Sequence, residues 1–96
     1  MKVLTVTPAF IDTEKLDIYF HYGDIQLVMN SAVIRDDRPY GIIWVIDNEA
    51  SRGGYEGYLS DRLAILGMPT VEIDTIMKDI NNAISNVDLR YKVYDY

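Results

Sequence analysis

One histidine, no cysteine and two short polar stretches are all that this chain offers for chemistry. His21 is the only side chain whose ordinary pKa lies near neutrality, and a general base of this type needs a carboxylate to orient the ring and a nucleophile within hydrogen-bond reach. No serine neighbours it, and Asp17, four residues earlier, is roughly 13 Å away along an extended strand. His21 therefore reads as a surface histidine, and no catalytic residue is assigned. In the first polar stretch Asp47, Glu49 and Ser51 occupy the first three oxygen-ligand spacings of an EF-hand calcium loop. The sixth position of such a loop is glycine and the twelfth a bidentate glutamate, but here they are Arg52 and Tyr58, so a solvated acidic loop explains the same residues. The second stretch, Ser51-Arg52-Gly53-Gly54, leads into helical spacing, and free N–H groups at a helix start can hold an anion. Neither GxGxxG nor GxxxxGK[ST] is present, and Glu56 in the first turn would repel a phosphate. A small-ligand or nucleotide-binding turn over Ser51 to Tyr55 is accordingly the alternative reading.

Without cysteine, disulfides, thiolate zinc sites and thiol nucleophiles are excluded together, and no cofactor motif takes their place. Fifteen acidic residues against nine basic ones give a net charge of −6, which disfavours direct binding to nucleic acid. The excess is concentrated in residues 1 to 50, with eight acids and four bases. No run approaches the roughly 20 apolar residues of a membrane span, and MKVLTVTPAF has no h-region of a signal peptide, which points to the cytoplasm. At 96 residues the expectation is one domain over 1–96.

The elements that must position any site follow from periodicity. Lys2 to Thr7 alternates and is stopped by Pro8, which predicts a strand. Ile18, Phe20 and Tyr22 alternate up to Gly23-Asp24, and Ile25, Leu27 and Met29 alternate beyond it. A two-residue type II′ turn there pairs Tyr22 with Ile25, Phe20 with Leu27, Ile18 with Met29 and Asp17 with Asn30. Asn30-Ser31 breaks the alternation and marks a bulge. Arg35 to Pro39 reads as a polar loop, and Ile42 to Ile46 as a strand buried on both faces. A loop is expected over Asp47 to Gly54. Tyr55, Tyr58, Leu59, Leu63 and Leu66 then have helical spacing, which Gly67-Met68-Pro69 ends. Ile73, Ile76, Met77, Ile80, Ala83, Ile84 and Val87 define a second helix capped by Thr70 or Asp74. Leu89 to Tyr96 alternates again, with Leu89, Tyr91 and Val93 inward and Tyr94 and Tyr96 on the opposite face. The expected fold is α+β, a mainly antiparallel sheet of order ββββααβ with two helices packed on one face.

Function is read from the surface this leaves. Tyrosine combines contact area with a polar end, and Tyr94 and Tyr96 on an edge strand suit either a partner or homodimerisation through the C-terminal strand. Asp12, Glu14, Asp17, Asp24, Asp36, Asp37, Asp47 and Glu49 can form an acidic face complementary to a basic partner protein. In general character, and by no motif, the chain resembles small acidic α+β proteins that phages encode as inhibitors of host defence. That resemblance implies a non-enzymatic protein that occupies the basic groove of a nucleic-acid-handling protein. The expected partner-binding residues are Asp36, Asp37, Asp47, Glu49, Tyr94 and Tyr96, with an oligomerising structural subunit as a further alternative.

Overall fold

Alternation of apolar and polar residues lays the first half of the chain down as strands. The computed structural model describes residues 2–10, 12, 14–46, 51–85 and 93–95. Its elements are β1 (Lys2–Pro8), β2 (Leu16–Tyr22), β3 (Ile25–Arg35), β4 (Arg38–Ile46), β5 (Ser51–Tyr58), α1 (Leu59–Ile65), α2 (Thr70–Ser85) and β6 (Val93–Asp95). Strands β1 to β5 form an antiparallel meander, and β6 returns beside β1 to give the order β5-β4-β3-β2-β1-β6. The fold is α+β, with a mainly antiparallel sheet and both helices on one face.

The β2–β3 hairpin has the register its turn chemistry dictates, from Tyr22 opposite Ile25 to Ile18 opposite Met29. Gly23 supplies the positive φ, 59°, that the first turn position of a type II′ turn requires. Beyond Met29 the expected pairing of Asp17 with Asn30 gives way to a bulge, so that Leu16 lies opposite Ala32. Ser31 takes φ 59° there, and the Asp17 carboxylate accepts the hydrogen bond of its N–H at 2.9 Å. The same extra residue shifts β3 against β4 between Met29 and Val33.

One face of this sheet makes the core. Leu4, Val6, Leu16, Ile18, Phe20, Leu27, Met29, Ile43 and Val45 pack against Leu59 and Leu63 of α1 and Ile73, Ile76, Met77, Ile80 and Ala83 of α2. Each fully buried side chain of this size contributes about 1.5–3 kcal/mol. The helical spacing of α2 is therefore its core-facing stripe. Its first bond runs from the Ile73 N–H to the Pro69 carbonyl, so neither predicted side-chain cap is used at that point and Asp74 lies inside the helix. Gly67, at φ 91°, donates to the Ala64 carbonyl and ends α1 where the sequence predicts.

Three expectations need correction. Ser51–Tyr58 is a fifth strand and not a loop followed by a helix start, so the order is βββββααβ and α1 begins only at Leu59. Glycine-rich sequence lowers strand propensity, but pairing with β4 overrides it, with Tyr55 opposite Ile43 and Tyr58 opposite Tyr40. Second, β4 is buried on one face alone: Ile43 is 1% exposed, while Ile42 and Trp44 are 51% and 42% exposed. Both helices cover the same side, so a continuous apolar run here does not signal two-sided burial. Third, Tyr94 pairs with Leu4, a core residue of β1, so the register of β6 reverses the face assigned to that position. Leu89, Tyr91 and Tyr96 lie outside the described residues.

Candidate functional site

The β3–β4 hairpin runs past the start of β2, and its end gathers most of the exposed polar and aromatic contacts among the described residues. Arg35 pairs with Arg38, which leaves Asp36-Asp37 as a two-residue turn with φ 53° and 58°. Positive φ at both positions is the type I′ geometry that Asn-Gly satisfies most easily. Aspartate tolerates it because its short side chain can bond locally, although two in succession are strained. The turn thus presents two exposed carboxylates on a backbone that glycine would fit better.

Around this turn the strands and helices supply partners. The Tyr58 hydroxyl, from β5, donates to Asp36 Oδ2 at 3.0 Å, and the Tyr40 hydroxyl donates to Glu56 Oε1 at 3.4 Å. The two rings meet edge to face at 5.0 Å. Arg35 stacks over Tyr40 at 4.0 Å and Arg38 over Tyr58 at 3.8 Å, so the rings lie between guanidiniums that would otherwise repel across the strands. Arg38 also donates to Ser60 Oγ at 3.1 Å and lies 3.5 Å from Asp61 on α1. From α2, Asn81 donates to the Asp37 carbonyl at 3.0 Å. Both helices therefore hold the hairpin end in place. Four carboxylates, those of Asp36, Asp37, Glu56 and Asp61, surround two guanidiniums, and the end is net acidic.

Partial burial raises the Tyr58 phenol above its ordinary value of 10.0, and the Asp36 hydrogen bond and charge raise it further, against the opposing pull of Arg38 and Arg35. A phenol held above its unfolded value favours the folded state below that unfolded value, and the contribution is lost as pH rises through the higher folded value. Wild-type protein should therefore lose stability above about pH 10 more steeply than Tyr58→Phe. Urea midpoints at rising pH check this, and parallel curves for the two proteins would refute it.

The residues singled out in the sequence are scattered. Asp36 and Asp37 are brought together with Tyr58, Arg35 and Arg38, whereas Tyr94 is on β6 at the opposite edge of the sheet from β5. Asp47, Glu49 and Tyr96 lie outside the described residues. Ser51, Arg52, Gly53 and Gly54 are strand residues, paired with Ile46, Val45 and Trp44 across a bulge at Gly53. No helix starts there, so the supposed anion-holding turn loses the helix N-terminus on which it depended. Tyr40, Glu56, Tyr58 and Asp61 were not predicted as site residues. Reading Asp36-Asp37 as a two-residue turn would have aligned Arg35 with Arg38, but the contacts from β5 and α1 are tertiary.

His21, half-buried, lies opposite Gln26 on the uncovered side of the sheet, and Asp17 is engaged by the Ser31 N–H. Among the described residues no three His, Asp or Glu side chains converge as a metal site, and no described helix is long and apolar enough to cross a membrane. No protein-family model matches the chain, and neither a curated protein nor a solved structure matches it at a significant level.

Proposed function

We propose that this chain is a non-enzymatic protein-binding domain that engages a basic partner through the end of the β3–β4 hairpin. The observation that carries the reading is the Tyr40–Tyr58 pair, stacked by Arg35 and Arg38 and bonded to Glu56 and Asp36. Tyrosine and arginine are the residue types that dominate binding energy at interfaces, and here they are held in place before any partner arrives. Exposed carboxylates around them add charge that steers a basic surface into register. A net charge of −6 favours such a partner at long range.

The basic groove of a nucleic-acid-handling protein is the surface this charge fits best. Occupying it would make the chain an intracellular inhibitor of the kind phages direct at host defence. The test is affinity capture from the host lysate with wild type and with Asp36→Asn/Asp37→Asn. Wild type should retain a basic protein that the double variant loses while remaining folded. Equal capture of the same protein by both would end this assignment of the site.

A further inference from the structure

We infer that the uncovered face of the sheet is the interface with a second copy of this chain. Among the described residues nothing packs on the side that carries Tyr19, Val28, Ile42 and Trp44, since both helices lie on the other. Charge selects a second copy as the occupant. The chain carries −6, yet the central positions of this face, Val3, Thr5, Tyr19, Val28, Ile42 and Trp44, carry none of it. Of the carboxylates on the same side, Asp17 accepts the Ser31 N–H at 2.9 Å near the start of β2, Glu56 stands on the edge strand β5 with its Oε1 3.4 Å from the Tyr40 hydroxyl, and Asp95 pairs with Val3 from the other edge strand, β6. The carboxylates stand at the rim, so two chains that repel elsewhere can bring the centres of this face together without opposing like charges there.

Shape and size agree with this. Gly54 lies opposite Trp44, and a Cβ on it would come within 2.9 Å of Ile42 Cγ2 and 3.4 Å of Trp44 Cη2. The indole and the isoleucine methyl therefore extend over a bare stretch of β5 backbone. That leaves a level surface, as two sheets stacked about 10 Å apart require. Five strands about 4.8 Å apart, each with about six residues at about 3.4 Å, cover roughly 500 Å². Two copies bury roughly 1,000 Å², which reaches the lower bound for a specific interface. Because the same patch serves both copies, the contact closes at a dimer.

Sedimentation velocity and native mass across the micromolar range test it. Wild type should dimerise, more tightly as salt screens the repulsion between two chains of −6. Trp44 is the single tryptophan, so its emission should shift to the blue and become shielded from acrylamide as concentration rises. Ile42→Glu and Trp44→Glu should each weaken the dimer by at least about tenfold. Val71→Glu, at an exposed position on α2, should leave it intact. A wild-type monomer throughout with unchanging Trp44 emission overturns the inference. So does a dimer that survives both glutamate variants, which would move the contact to the C-terminal strand or elsewhere. Should either variant fail to fold, the concentration dependence of wild-type emission and quenching decides the matter alone.

Discussion

Ile43→Asp is expected to unfold the protein, whereas Ile42→Asp, one residue earlier, is expected to leave it folded. The two positions differ only in the face of β4 on which they stand: Ile43 is 1% exposed among the core side chains and Ile42 is 51% exposed. An aspartate at 43 must either remain ionised in an apolar site or take up a proton, and both cost several kcal/mol on top of the lost isoleucine burial. A chain of this length has a total stability of roughly 5–14 kcal/mol, so one such change removes most of it. An aspartate at 42 keeps its water and meets only the modest reluctance of aspartate to sit in a strand, about 1 kcal/mol or less. Far-UV circular dichroism and urea titration of both variants give the answer. If both unfold, folding of the single chain itself requires the second face of β4 to be covered. If neither does, the side of the sheet assigned to the core is wrong.

That contrast also shows where local sequence stops being informative. The Gly23-Asp24 hairpin is legible because turn geometry and alternation agree independently on one register, and that agreement extends from Tyr22 opposite Ile25 to Ile18 opposite Met29. Helix α2 is legible because Ile73, Ile76, Met77, Ile80 and Ala83 repeat the period often enough to exclude a strand. The run from Ile42 to Ile46 is apolar on both sides for different reasons. Ile43 and Val45 meet the helices, while Ile42 and Trp44 spread over Gly54 on the far face. Hydrophobicity along a strand does not count the layers stacked upon it. Strand β5 escapes for a related reason: Tyr55 and Tyr58 fit a helical spacing, and only the ladder with β4, formed by residues far away in sequence, turns them into strand positions. The site inherits this failure. Asp36 and Asp37 stand out as an exposed acidic pair, but Tyr58 reaches Asp36 from 22 residues away, and Asn81 reaches Asp37 from 44. A charge run shows where carboxylates are, and the tertiary fold decides which rings and guanidiniums surround them.

Association with the proposed basic partner should slow as salt is raised, and Asp36→Asn/Asp37→Asn should slow it even at low salt. The exposed carboxylates at the hairpin tip act before contact is made, over a Debye length that is about 30 Å at 0.01 M salt and about 8 Å at physiological strength. Charge at the rim of an interface therefore appears chiefly in the association rate. Tyr40 acts after contact: its ring is packed between Arg35 and Tyr58, so replacing it with alanine removes both a contact surface and the support for its neighbours. Tyr40→Ala should leave association nearly unchanged and speed dissociation by about tenfold, the equivalent of about 1.4 kcal/mol for an anchoring ring. Stopped-flow association and surface-capture dissociation separate the two effects. The salt response also separates the two proposed contacts, because pairing of sheet faces between chains of −6 would strengthen with salt while docking of the hairpin on a basic protein would weaken. An association rate that is flat between low and high salt removes the steering role of Asp36 and Asp37. If Tyr40→Ala also dissociates at the wild-type rate, the hairpin end is not the docking site.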